Sequence, residues 1–199
     1  MTDTQQMDTS YEEFASEFVA IRDPNTGVAE VRQWSDAMGV GDTFLDLGCG
    51  HGLPLGVLFR NRGLKLYAID NSPSLLDEYK HHIPEAVTAC ESAVDSDLFL
   101  EQFDGVLVWG LIFLLEQADQ ITVLDRISSR LKPGGHLLFT APWQQCQWQD
   151  LLTGRECLSL GCVSYHKILR QNKINVRGGF LDQGENYYYD VVKLPIAKC

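Results

Sequence analysis

FLDLGCGHGLPLGVLF, residues 44–59, opens as an apolar run, breaks into glycines, and resumes as an apolar pattern of helical spacing. The run from Thr43 to Leu47 has the character of a buried strand. Gly48, Gly50 and Gly52 then mark a tight turn, so the reading is strand, glycine turn, helix. Without a Cβ in the way, backbone at such a turn comes close to a ligand. A helix starting there would aim free N–H groups and the positive end of its dipole at that ligand. Asp46, just before the glycines, suits a ligand with amines, hydroxyls or positive charge better than a pyrophosphate.

Spacing narrows the ligand further. Dinucleotide-binding folds open the helix with G-x-G-x-x-G. Here the third glycine, Gly52, comes one place early, and Leu53 stands where that fingerprint has glycine. The pattern is D-x-G-x-G-x-G.

Later segments supply partners for the turn. GLKLYAIDN, from Gly63 to Asn71, is a second strand ending in Asp70, a carboxylate placed to bind a vicinal diol. Ser72 and Pro73 read as a helix cap with proline at the first helical position. AVTACES, Ala86 to Ser92, is a third strand with polar residues after it. FDGVLVWGLIFLL, Phe103 to Leu115, is a fourth strand running into an apolar stretch, and LKPGGHLLFTAP, Leu131 to Pro142, holds a helix end, a Pro-Gly-Gly turn and a fifth strand.

This series resembles the class I, Rossmann-like S-adenosylmethionine-dependent methyltransferases, and within them a small bacterial subgroup of unknown substrate. The resemblance extends over nearly the whole chain and ends in a Trp-x-Asp-x-x-Thr-Gly stretch and Gly-Glu-Asn-Tyr-Tyr. It implies S-adenosyl-L-methionine as cofactor. Asp46, Gly48, Cys49, Gly50 and Gly52 would flank its methionine part, Asp70 and Asn71 the ribose, Glu91 and Ser92 the adenine, and Trp109 and Gly110 the sulfonium end. Tyr11 would lie at the cleft, and Arg22 resembles amino-terminal arginines that turn toward the methionine carboxylate.

The expected fold is α/β: a doubly wound, mostly parallel seven-stranded sheet with helices on both faces. Its last two strands, Lys173–Phe180 and Asn186–Lys193, should form an antiparallel hairpin across the turn-like DQGE. Residues 1–199 read as one domain: an amino-terminal helical lid over 1–40, a cofactor core over 41–140 and a substrate side over 141–199. Within the last, Ala141–Leu160 reads as irregular and Gly161–Gln171 as a helix. Tyr11–Ala20 and Val28–Met38 carry helical patterns.

Composition narrows the partners. With 16 basic and 27 acidic residues the net charge is −11, which argues against a nucleic-acid groove. The polar first residues and the lack of a long apolar run lead to the expectation of a cytoplasmic protein without a membrane span. The six cysteines read as reduced thiols and no metal is expected, with a zinc site of Cys146, Cys157, Cys162 and His166 as the alternative.

The acceptor is expected to be a small molecule, docked between Phe14 and Phe18 on one side and Trp143 and Trp148 on the other. His51, Glu116, His166 and Tyr187 are candidates for a base, and none is singled out. Two other functions stay open here: a non-catalytic sensor or scaffold that binds the same cofactor, and a nicotinamide-dependent oxidoreductase.

Overall fold

The computed structural model describes Glu12 and residues 25–151 and 153–195. Tyr11, Phe14, Phe18, Arg22 and Cys199 lie outside the described residues, as does most of the helix expected over Tyr11–Ala20. The segment expected as a second helix gives α1 (Val28–Trp34) and one further 3-10 turn (Ser35–Ala37).

Four parallel strands follow: β1 (Thr43–Leu47), β2 (Lys65–Asp70), β3 (Val87–Cys90) and β4 (Phe103–Val108). Between them lie α2 (Leu55–Asn61) and α3 (Pro73–His82). Then come α4 (Gln117–Arg130), β5 (Leu131–Thr140), β6 (Gln145–Gln149), β7 (Glu156–Leu160), α5 (Gly161–Gln171), β8 (Ile174–Leu181) and β9 (Tyr187–Lys193). Seven strands form one sheet in the order β3-β2-β1-β4-β5-β9-β8. β1 to β5 are parallel, while β9 runs antiparallel to both β5 and β8. The doubly wound fold expected from the sequence is the fold observed.

Alternation along the strands divides the core. On one face Phe44, Leu66, Ala68, Leu107 and Leu138 pack against Trp34 of α1, Phe59 of α2 and Tyr79 of α3. On the other, Leu45, Leu47, Val106, Val108, Leu137 and Phe139 pack against Leu124 and Ile127 of α4 and Tyr165 and Leu169 of α5. The Pro-Gly-Gly turn is an insertion in β5: the ladder steps from Phe103↔Leu131 to Gly105↔His136.

One expectation is corrected. Ala141–Leu160 is not irregular: β6 and β7 pair antiparallel as a separate two-stranded sheet, from Gln145↔Leu160 to Gln149↔Glu156. Gln145, Gln147 and Gln149 face solvent while Cys146 and Trp148 are partly covered, a period of two carried by an unusual residue set. The Trp-x-Asp-x-x-Thr-Gly stretch is its turn, where Asp150 Oδ2 accepts from Thr153 N–H (2.8 Å) and Thr153 Oγ1 (2.6 Å). Gly154 has φ +68° there, a conformation open to glycine.

The β8–β9 turn is also built on an aspartate. Asp182 Oδ1 accepts from the N–H groups of Gly184 (2.8 Å) and Asn186 (3.0 Å), and Oδ2 from the Tyr188 hydroxyl (2.9 Å). That hydroxyl occupies the space a Cβ on Gly27 would need, 2.0 Å away, so the turn is braced against the residue before α1.

The amino-terminal ends of β1, β4 and β5 are pinned by one carboxylate oxygen. Asp104 Oδ2 accepts from Thr43 N–H (2.8 Å), Thr43 Oγ1 (2.8 Å) and Lys132 Nζ (2.6 Å). Burial pushes the Asp104 carboxyl up, but these bonds outweigh it and hold it below the usual aspartate range. Asp104→Ala is expected to cost about 1–3 kcal/mol at neutral pH. A depressed acid contributes stability that is present above its unfolded pKa and is lost as pH falls through the folded one. Urea unfolding should therefore show a gap between the two proteins that closes at acid pH; a gap independent of pH would refute this role.

Candidate functional site

The carboxyl-terminal ends of β1, β2 and β4 meet at the glycine turn. The N–H groups of Gly48 and Cys49 donate to the Ile69 carbonyl (2.8 and 3.1 Å), folding the turn over the end of β2. Gly48, Gly50 and Gly52 have φ of +73°, +54° and +82°, which favours glycine at each. Gly52 serves packing as well: a Cβ there would lie 2.8 Å from Tyr79 Cδ2. The helix begins at Leu55 rather than at the glycines, because Leu53 and Pro54 intervene. The amides nearest the acid are therefore those of the turn, not of α2.

Asp70 closes this frame. Its Oδ2 accepts from Gly50 N–H (2.8 Å) and its Oδ1 from Ser72 N–H (2.9 Å). Burial raises the Asp70 carboxyl above the usual range, the N–H bonds oppose this, and the neighbouring Glu12 charge adds to the rise. Such a carboxylate gains from further hydroxyl donors. Ser72 is the expected cap of α3, its Oγ accepting from Leu75 N–H at 3.2 Å, with Pro73 first in the helix.

A shallow open cleft lies between the turn and the end of β4. Asp46, Gly48, Cys49 and Gly52 line it, with Trp109 and with His51, Leu53, Leu55 and Gly56. Asp46 is buried, one residue before the end of β1. Cys49 is raised well above the usual thiol range by burial and by the Asp46 and Asp70 carboxylates, so it stays a neutral thiol. Gly110 donates its N–H to Thr140 Oγ1 (2.8 Å), tying the loop after Trp109 to β5.

The sequence-predicted residues thus fall into groups. Asp46, Gly48, Cys49, Gly52 and Trp109 share the cleft, with Gly50 and Asp70 bonded beside it and half-buried Asn71 next along the chain. Glu91 and Ser92 follow β3, whose last residue lies opposite Asp70. Both are engaged in a local turn: Glu91 Oε1 accepts from Ser96 Oγ (2.6 Å), and Ser92 Oγ from Val94 N–H (3.2 Å). Trp143 packs on Tyr187 (ring centroids 4.9 Å) and edge-on to His166 (6.1 Å). Trp148 packs on Phe113, 5.4 Å between centroids. Leu55 and Gly56 of the lining, and Phe113 beside Trp148, were not singled out by the sequence, since each reads as ordinary apolar filling. No group of three His, Cys, Asp or Glu able to hold a metal ion occurs among the described residues, so the zinc alternative has no support.

The frame fits S-adenosylmethionine. A buried carboxylate lines the cleft, a second accepts two backbone N–H bonds beside it, and a glycine-lined wall lets a ligand approach backbone, a set whose chemistry suits a ligand carrying an amine and a diol. Comparison with known proteins agrees. Residues 44–135 match a family model described as "Methyltransferase domain". Carboxy-S-adenosyl-L-methionine synthase of Escherichia coli O7:K1 is 32% identical over 140 residues, 66% of this chain and 53% of that protein. The chain thus spans about half the length of the curated relatives it matches. Among solved structures, CalS10, an amino pentose methyltransferase from Micromonospora echinaspora, superposes with TM-score 0.70 at 16% identity, over 90% of this chain and 95% of that one. The N-methyltransferase NodS from Bradyrhizobium japonicum gives 0.66 at 19%, over 84% and 85%. At those identities the structures speak for the fold alone. The chain is thus similar to class I, Rossmann-like S-adenosylmethionine-dependent methyltransferases, in fold along most of its length and in sequence over residues 44–135.

Proposed function

We propose that this protein transfers the methyl group of S-adenosylmethionine to a small-molecule acceptor. The observation that carries the reading is the Gly50–Asp70–Ser72 clamp beside a cleft walled by Asp46 and Trp109. Bound there, the cofactor supplies a methyl group already activated by a positive sulfur. The protein's part is to align and to exclude water. Asp46 attracts the cofactor's amine, Asp70 holds its ribose hydroxyls, and the Trp109 ring shields the sulfonium end. Glu91 and Ser92 border the adenine.

The acceptor wall is assigned to Trp143, Tyr187 and Trp148, past the end of β5. Burial and the Arg170 charge lower the His166 pKa, and its Nε2 is buried without a hydrogen-bond partner. That leaves a neutral imidazole edge-on to Trp143, an uncharged side to the aromatic wall. Surface chemistry favours a small acceptor: the described wall is aromatic and the net charge is −11. No helix among the described residues is long and apolar enough to cross a membrane.

Labelled-methyl transfer should be screened over small phenols, amines, thiols and carboxylic acids, beside tRNA and bulk protein. Transfer to a small acceptor is expected. Trp143→Ala should raise that acceptor's KM roughly tenfold while the Kd for S-adenosylhomocysteine stays put. Transfer to tRNA or protein alone overturns the acceptor class, and tight cofactor binding with no transfer favours the sensor.

A second reading rests on the curated relatives, named as synthases of carboxy-S-adenosyl-L-methionine. Mass spectrometry of the spent cofactor separates the two: S-adenosylhomocysteine supports methyl transfer, and a product heavier by a carboxyl group supports the synthase.

A further inference from the structure

Glu12 lies far from the glycine turn in sequence, yet it meets the frame of the cleft. Its Oε2 accepts from Ser74 Oγ (3.0 Å), from Ser74 N–H (3.3 Å) and from Ser72 Oγ. A carboxylate only accepts, so the Ser72 hydroxyl must donate to Glu12. That leaves its lone pair for Leu75 N–H, the capping bond of α3. The Ser72 N–H in turn holds Asp70 Oδ1, and Asp70 Oδ2 holds Gly50 N–H. A continuous path of hydrogen bonds thus runs Glu12, Ser72, Asp70, Gly50.

We propose that Glu12 is a positioning residue for the cofactor site: through Ser72 it aims Asp70 at the ribose hydroxyls. The inference rests on reading Asp70 as the diol-binding acid. The anchoring is of a strong kind, since the negative charge sits at the positive end of a ten-residue helix and accepts three bonds. The Ser72 bond is the main reason the Glu12 carboxyl is held below the usual range. Glu12 also pushes Asp70 upward, so the two carboxylates together increase what Asp70 gains from hydroxyl donors.

The test is calorimetric titration with S-adenosylhomocysteine, paired with melting curves with and without it. Glu12→Ala is expected to raise Kd roughly tenfold, with Glu12→Gln in between, because an amide oxygen still accepts but carries no charge. The melting temperature without ligand should change little, and the ligand-induced rise should shrink. Glu78→Gln, an exposed carboxylate on the same helix, should match the unsubstituted protein. A Kd for Glu12→Ala within about twofold of the unsubstituted value overturns the proposal. So does a loss of melting temperature with an undiminished ligand-induced rise, which would make Glu12 a mere helix cap. Failure of the unsubstituted protein to bind overturns the cofactor reading itself and takes this proposal with it.

Discussion

Asp70→Asn binds S-adenosylhomocysteine roughly ten- to a hundredfold more weakly than the unsubstituted protein, the range for losing hydrogen bonds to a charged group. The fold should tolerate it. Burial raises the Asp70 carboxyl above its unfolded value, so its ionised form costs folded-state stability above that unfolded value, and a neutral isostere relieves the cost. The amide must give up one of the two N–H bonds from Gly50 and Ser72, which offsets part of the relief. Binding and melting are thus expected to separate. The pH dependence carries the same signature. Only the carboxylate accepts from both ribose hydroxyls, so affinity should be flat above the raised Asp70 value and fall as pH drops through it. In Asp70→Asn that fall should vanish. Glu12 is held below the usual glutamate range, chiefly by its Ser72 bond. An unchanged Kd in Asp70→Asn would show that the ribose lies elsewhere.

Gly52→Ala should lose about 2–5 kcal/mol of stability. Its φ of +82° costs a residue with a Cβ about 1–2 kcal/mol. The new methyl would lie 2.8 Å from Tyr79 Cδ2 and 3.2 Å from Ile83 Cδ1, both fully buried, and such overpacking costs about 1–3 kcal/mol more. Gly110→Ala isolates the backbone part. Gly110 has φ +75°, and nothing lies within 4 Å of its absent Cβ. Denaturant unfolding of both variants should rank Gly52→Ala clearly lower. Equal losses would mean that Tyr79 yields and that the third glycine is there for backbone conformation alone.

What could be read in the sequence was what short-range constraints impose. The strand from Thr43 to Leu47, the tight turn at the three glycines and the cap at Ser72 depend on a few neighbouring residues, and each is observed where expected. So is α5 over Gly161–Gln171. The β6–β7 hairpin escaped because its outward residues are glutamines and its inward ones Cys146 and Trp148, a weak contrast for a period-two pattern. The helix start was displaced to Leu55 because an apolar pattern does not show where hydrogen bonding begins. The packing role of Gly52 depends on Tyr79, and the link between Glu12 and Ser72 spans 60 residues, so neither leaves a local trace. Glu91 and Ser92 were legible as residues beyond a strand end, but not their bonds to Ser96 and Val94.

The brace between Tyr188 and Gly27 gives the molecule an order of assembly. Every described residue lining the cleft lies between Asp46 and Trp109, so this part can leave the ribosome early. The support for the residue before α1 cannot, because it depends on Asp182 and Tyr188, which emerge several seconds later at about 5–20 residues per second. The residue before α1 therefore gains its rear support only once the last hairpin has been made, and that hairpin acts as the bolt of the newborn protein.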